Sequence, residues 1–476
     1  MNAKKILVCL LALTLAFSSL VACGKKNKPD SETEQTADAP VDTSPVEIED
    51  EGVNFWLECN AGFDSAVFGD AADFQVVWTE DDNGEVKILS YTGTAEHLII
   101  PTEIEGMPVT SIGDGAFAEN TTLKTLIIPE SVTRIGTGIL AGCEALNALQ
   151  TPLIGKDKDA VQYLGYLFGA TTHEDNARDI PASLKCFCLM GEWQTLPAYA
   201  LFDCNDLICL GLPETLTIIE KFALYNCASL RQIDSLERIV TFGDRAMMNC
   251  SSLQTVTLGS TLQTVGFGAF EGCESIRAMK LPFVGKTKTE NTYLGYIFGA
   301  AQPDFAKGFY PDDLARITLT GNCQTLGNYA FFECETLKEI ALPEGLTTIG
   351  VRAFYGCESL WKVELPDSVT TLRELAFANC DALTTIHFGN GLVEIGINAF
   401  FNCDSLIEIK LPNTLKTVPA SCFAGCTALA KVDLGGTEKV EAQAFRHCNA
   451  MTTVTANGDV EFEEGNDNVK NILNSK

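Results

Sequence analysis

Nineteen of the 476 residues are cysteines, and their spacing is the first hint of chemistry. Eleven keep one register: Cys143, Cys204, Cys227, Cys250, Cys273, Cys334, Cys357, Cys380, Cys403, Cys426 and Cys448. From Cys204 to Cys273, and again from Cys334 to Cys426, the step is 23 residues. A thiolate can be a nucleophile, a metal ligand or a disulfide partner. Side chains stacked at one azimuth run parallel, with Cβ atoms near the inter-strand spacing of about 4.8 Å. A disulfide needs about 3.8 Å and converging bonds. The expectation is therefore buried thiols acting as small apolar fillers, most of them open to alkylation once the chain unfolds, although an oxidising compartment would favour pairing. Cys186 and Cys188 share a strand face, and Cys422 lies near Cys426. The four histidines, His97, His173, His387 and His447, are scattered, so no metal site is assigned.

Other catalytic patterns are absent. Gly113-x-Gly115 and Gly266-x-Gly268 lack the third glycine of a dinucleotide loop. There is no phosphate-binding Walker loop, no His-Glu-x-x-His and no nucleophile elbow. No enzyme activity and no cofactor are expected; a site assembled across distant segments is the remaining enzymatic reading. The formal charge of −30 disfavours nucleic acid, whose counterions are displaced by clustered Lys and Arg. It equally disfavours docking of the body on anionic lipid, and favours neutral or basic partners.

The chain starts with Lys4-Lys5 and an apolar run, Ile6 to Ala22, broken by Thr14, Ser18 and Ser19. This is the layout of a secretory signal. The run ends Leu20-Val21-Ala22-Cys23-Gly24, which resembles the lipobox of bacterial lipoproteins. The resemblance implies removal of residues 1–22, acylation of Cys23 and a lipid-anchored, extracytoplasmic protein whose only membrane contact is that anchor. Residues 23–51 are rich in Asp, Glu and Pro and nearly free of aromatics. They cannot offset their ordering entropy by burial and are expected to be a flexible acidic tether.

The elements that position everything else come from the repeat. After Cys334, the residues Leu337, Ile340, Leu342, Leu346, Ile349, Ala353 and Phe354 are apolar; after Cys357, so are Leu360, Val363, Leu365, Val369, Leu372, Ala376 and Phe377. The Ile-x-Leu alternation reads as a short strand and the Pro-x-x after it as a turn. One coil alone cannot offset the entropy of ordering itself, so stability belongs to the stack. The pattern predicts a β-rich repeat solenoid of about 23-residue coils with short parallel strands over 99–456. Residues 52–98 should form an N-terminal β cap, with Phe74–Trp78 and Val86–Leu89 as a hairpin about Asp81-Asp82-Asn83-Gly84. The polar tail 457–476 is expected to fray. Stretches such as Leu346-Thr347-Thr348-Ile349-Gly350, Ala353-Phe354-Tyr355-Gly356-Cys357-Glu358-Ser359-Leu360 and Ile112-Gly113-Asp114-Gly115-Ala116-Phe117 closely resemble the BspA-like leucine-rich repeats of bacterial surface proteins. That resemblance implies a leucine-rich-repeat fold and a role in adhesion or protein binding.

Two coils are long, 143–181 and 273–311, with Pro181 and Pro311 in the cysteine position. They carry Tyr163-Leu164-Gly165-Tyr166-Leu167-Phe168-Gly169-Ala170 and Tyr293-Leu294-Gly295-Tyr296-Ile297-Phe298-Gly299-Ala300, 130 residues apart. These motifs are expected to pack an inserted loop onto the solenoid, leaving His173 and Glu174 beside the first as contact candidates. On the strands, Lys280, His387 and Lys410 point outward in a column of mixed character, and Trp361 flanks it as a candidate anchor. The expected partner is an extracellular protein or cell-surface ligand. A structural envelope component without an external ligand is the alternative.

Overall fold

The computed structural model describes residues 63–78, 84–233, 236–290, 292–321 and 323–475. The expected signal segment, Cys23, the tether, residues 52–62 of the cap and most of the hairpin turn lie outside the described residues. Among those described, no helix is long and apolar enough to cross a membrane.

The chain is a β-solenoid built on two parallel ladders. The first runs through Val67–Phe68, His97–Ile99, Thr125–Ile127, Ala148–Thr151, Cys186–Leu189, Cys209–Gly211 and Gln232–Ile233, then resumes as nine strands from Thr255–Thr257 to Thr453–Thr455. Its register is one coil: Val363 lies opposite Ile386, and Ile409 opposite Val432. The second ladder was not anticipated. From Thr195–Leu196 onward its strands are only two residues long, as in Thr348–Ile349 and Thr371–Leu372; two residues are too few for an alternation to show in sequence. It breaks at both long coils, resuming at Thr195–Leu196 and at Thr325–Leu326, whereas the first ladder passes through them: Ala148–Thr151 pairs with Cys186–Leu189, and Ala278–Leu281 with Arg316–Leu319.

A tight turn joins the second ladder to the next coil and carries the Ala-Phe-x-x-Cys signature. Two residues per turn take left-handed backbone, for example Asn398 (φ 56°) and Asn402 (φ 57°), or Gly268 and Gly272. Asn and Gly tolerate this conformation well, but Tyr199, Phe222 and Leu375 occupy it too. The turn points its phenylalanines into the core, where Phe354, Phe377, Phe400 and Phe423 stack at 4.8–5.3 Å with planes within 5°.

All eleven ladder cysteines are buried free thiols. Nine of them, all but Cys204 and Cys334, are more than fillers, each donating to a carbonyl of the preceding coil. The Sγ–H of Cys380 donates to the carbonyl of Phe354 at 3.2 Å, Cys403 to Phe377 at 3.1 Å and Cys426 to Phe400 at 3.2 Å. A buried turn carbonyl needs a partner, and a thiol supplies a weak donor in a small apolar volume. Burial pushes the Cys143 thiol up to about 11 and Cys334 to about 12, so both stay protonated at neutral pH.

The N-terminal hairpin is present, with Phe74–Trp78 antiparallel to Val86–Tyr91. The tail carries regular structure that its polar composition did not suggest. Glu461–Phe462 extends the second ladder, and helix Asp467–Asn474 follows. Val469 is fully buried, and Asn466 and Asn468 satisfy the last coil: Asn466 Oδ1 accepts from the Phe445 amide at 3.2 Å, and Asn468 Nδ2 donates to the Phe445 carbonyl at 3.0 Å. An uncapped last coil would leave those groups and the end of the phenylalanine stack exposed. Composition alone hides this, because only one side of so short a helix is apolar.

Candidate surface of the inserted coils

The two long coils are built alike. In each motif the backbone forms a 3-10 turn, Leu164–Phe168 and Leu294–Phe298, closed by a left-handed glycine, Gly169 or Gly299. Leu164, Gly165, Leu167 and Phe168 are buried, as are Leu294, Gly295, Ile297 and Phe298. The Tyr163 hydroxyl donates to the Ala170 carbonyl at 3.2 Å and Tyr293 to Ala300 at 3.0 Å. The motif thus packs the insertion down. The following residues differ, yet they satisfy the same carbonyl by different means. Asn176, fully buried, accepts from the Gly165 amide at 3.1 Å and donates to the Phe202 carbonyl at 2.7 Å. In the second copy Ala306 stands at the equivalent position and the Tyr310 hydroxyl donates to the Phe332 carbonyl at 3.0 Å.

Beside each insertion lies a group of aromatic rings from the left-handed turns. Next to the first, Tyr199 stacks on Phe222 at 5.5 Å and Phe202 on Tyr225 at 4.7 Å, while His173 of the insertion lies 4.3 Å from Tyr199 and 5.2 Å from Phe202. Next to the second, Phe332 stacks on Tyr355 at 5.2 Å, Tyr329 lies 5.4 Å from Phe332, and the Arg352 guanidinium sits 5.9 Å from the Tyr329 ring and 5.7 Å from the Tyr355 ring. Phe332 is buried; the other aromatic rings of both groups are half-buried. The phenol hydroxyls of Tyr199, Tyr225, Tyr329 and Tyr355 make no hydrogen bond among the described residues. Tyrosines with an apolar body seated and a polar tip free are what protein interfaces use. Sequence reasoning missed these groups, although Tyr199 and Tyr329, Phe202 and Phe332, and Tyr225 and Tyr355 repeat at the same 130-residue interval as the insertions.

The residues proposed from sequence fall in different places. His173 joins the first aromatic group and Glu174 is exposed next to it. Lys280, His387 and Lys410 are exposed on the outward side of the first ladder. His387 and Lys410 occupy neighbouring strands, while Lys280 lies four strands from His387. The His387 Nδ1 is 3.8 Å from Glu364. Trp361 is half-buried, and its carbonyl accepts from Thr384 Oγ1 at 3.0 Å. The strand column therefore forms a separate surface from the aromatic groups. One further column is acidic: Glu335, Glu358, Asp381 and Asp404 occupy the same position on consecutive coils, and Lys307 of the second insertion pairs with Glu335. Among the described residues no group of three or more His, Cys, Asp or Glu is placed to hold a metal ion.

Comparison with known proteins adds the following. Residues 90–156, 182–294, 306–430 and 349–466 match the family described as BspA type leucine rich repeat region, in six copies. No curated protein matches. Among solved structures, the chain is similar to a leucine-rich repeat protein from Bacteroides ovatus (17% identity, 82% of this chain and 88% of that one, TM-score 0.39). It is also similar to a leucine rich cell surface protein from Faecalibacterium prausnitzii (17%, 84% and 96%, TM-score 0.22) and to the pneumococcal vaccine antigen PcpA (17%, 82% and 96%, TM-score 0.28).

Proposed function

Since the chain belongs to the BspA-type leucine-rich-repeat family, we propose that it is an exported protein, lipid-anchored through Cys23, that displays its solenoid on the bacterial surface to bind a protein ligand. The observation that carries the binding role is the duplicated aromatic group: two sets of half-buried rings with free tyrosine hydroxyls, each beside an insertion, 130 residues apart in sequence. Burying a Tyr or Trp anchor contributes much of the free energy of typical protein interfaces, and two equal sites would act together on a partner that spans both. The net charge of −30 adds a preference for a neutral or basic partner. Glu174, Trp361, Lys280, His387 and Lys410 are the secondary contact candidates.

The test uses the chain from residue 52 onward against surface and extracellular-matrix proteins. Binding to an identified protein should be saturable. It should fall at least tenfold when Tyr199 and Tyr225 are changed to Ser, and further when Tyr329 and Tyr355 are changed as well, with the thermal melt preserved. Equal binding by the quadruple variant would overturn the assignment of the surface. For the anchor, palmitate labelling of cells making the full chain should vanish in Cys23→Ala.

A further inference from the structure

Among the described residues two arginines take left-handed backbone, Arg245 (φ 52°) and Arg352 (φ 53°), each five residues before a ladder cysteine. The first is satisfied within the chain: Arg245 Nε donates to Glu271 Oε2 at 3.0 Å. Glu271 stands two residues before the next ladder cysteine, Cys273. The corresponding residue for Arg352, two before Cys380, is Ala378. Among the described residues the Arg352 guanidinium has no carboxylate partner and makes no hydrogen bond. Glu374, whose carbonyl accepts from the Arg352 amide at 3.0 Å, forms no ion pair with it. In a chain with 63 Asp and Glu against 33 Lys and Arg, an unpaired arginine is not explained by a shortage of acids.

Arg352 is half-buried in the second aromatic group, where it takes the slot that Phe222 fills in the first. Phe222 lies 5.5 Å from Tyr199 and 5.8 Å from Tyr225; Arg352 lies 5.9 Å and 5.7 Å from their counterparts, Tyr329 and Tyr355. A guanidinium over a ring is attracted through its flat face. The N–H groups along its edge stay available, and they form the fork that a carboxylate meets with two parallel bonds. Half-buried donors without a partner carry a desolvation cost that an incoming carboxylate offsets.

We propose that the second aromatic group receives a glutamate or aspartate side chain of the protein ligand, held by Arg352 in the place that Glu271 takes beside Arg245. This rests on the reading of the aromatic groups as the protein-binding surface and adds the chemistry that the second one recognises. The ligand presents its acidic residue next to an apolar or aromatic one, which seats on Tyr329, Phe332 and Tyr355. A carboxylate suits the site better than a phosphate, because Glu333 and Glu374 adjoin the turn and oppose a dianion more than a monoanion. The net charge of −30 still favours a ligand that is neutral or basic as a whole; the acidic residue is local. Since a ring fills the matching slot of the first group, that residue also decides which end of the ligand meets which insertion.

The experiment uses the full chain, purified without reductant so that the disulfide between the facing strand residues Cys186 and Cys209 stays formed. The first aromatic group is silenced by Tyr199→Ser and Tyr225→Ser. Two capped peptides, acetyl-Phe-Glu-Phe-amide and acetyl-Phe-Gln-Phe-amide, are titrated by NMR. The Glu peptide should bind about tenfold more tightly or better, as one charge-assisted hydrogen-bonded pair implies. Arg352→Gln should erase the difference. Arg352→Lys should keep part of it, since an ammonium offers the charge without the fork. Ala378→Glu supplies the carboxylate from within and should also erase the preference while leaving the Gln peptide's affinity unchanged. The position accepts a large side chain, being Tyr355 and Phe401 in the adjacent coils. Equal binding of the two peptides, binding of neither, a preference that survives Arg352→Gln, or displacement of the Glu peptide by inorganic phosphate more readily than by acetate would overturn the proposal. A preference that depends on Arg352 but is unchanged by Tyr329→Ser with Tyr355→Ser would instead leave the carboxylate site standing and remove the aromatic surface.

Discussion

Single side chains settle two matters that the repeat pattern leaves open. A thiol at the coil boundary answers a buried carbonyl while occupying little more than a methyl group's space, which explains why cysteine recurs there. The acidic column is the opposite case, a local cost. Burial pushes the Glu358 carboxyl up from its ordinary value, and Glu335 and Asp381 add to the effect; burial and then Asp404 do the same for Asp381. A carboxyl raised in the folded state holds its proton more tightly there than in the unfolded chain. Its stabilising contribution is present at acid pH and lost as pH rises through the raised value. Glu358→Gln should therefore stabilise the protein at pH 7, by about 0.5 kcal/mol or less because the site is solvent-screened. The gain should disappear near pH 4, where the wild-type carboxyl is also protonated. Denaturant melts at the two pH values check this, and a destabilised variant at pH 7 would refute it.

At the scale of elements, the insertions are the departure from regularity. The first ladder carries straight through them because its strands need only backbone pairing at one-coil register, whereas the second gives way to the Tyr-Leu-Gly-Tyr turn. Beyond the packing of the motif itself, one buried polar side chain per copy ties the residues that follow it to the next coil. Asn176→Ala leaves the Phe202 carbonyl and the Gly165 amide without their partner and should cost about 1–3 kcal/mol. Tyr310→Phe, which removes one hydroxyl bond, should cost about 0.5–1.5 kcal/mol. Limited proteolysis at 171–180 and at 301–310 reads each loss separately; an Asn176→Ala protein as resistant as wild type would contradict the account. The same insertions seat His173 against Tyr199 and Phe202, so loosening the first should also disturb the first aromatic group.

For the whole molecule, each coil leans on its neighbours and the ends need cover. The C-terminal helix provides it by burying Val469 and satisfying the backbone of Phe445. Removing residues 465–476 should lower hydrogen-exchange protection of 431–455 by about an order of magnitude while leaving 204–273 unchanged, since coupling passes mainly between adjacent coils. A uniform loss along the chain would mean instead that the array unfolds as one unit. The duplicated aromatic groups belong to this scale too: their separation is set by five coils between two copies of one insertion.

The repeat period, the inward positions, the free thiols and the packing role of the Tyr-Leu-Gly-Tyr motifs were all legible in the residues, because each depends on a neighbour at a constant interval and the interval is printed in the chain. The hairpin was legible for a similar reason, being local. The second ladder, the folded tail, the Cys186–Cys209 bond and the aromatic groups were not. A two-residue strand has no periodicity, an eight-residue helix on the last coil shows its apolar side only against what it covers, and rings such as Tyr199 and Phe222 become neighbours only when one coil is laid upon the next. Spacing along the chain determined the coil; stacking between coils decided which side chains meet outside it, since those contacts lie perpendicular to the direction in which a sequence is read.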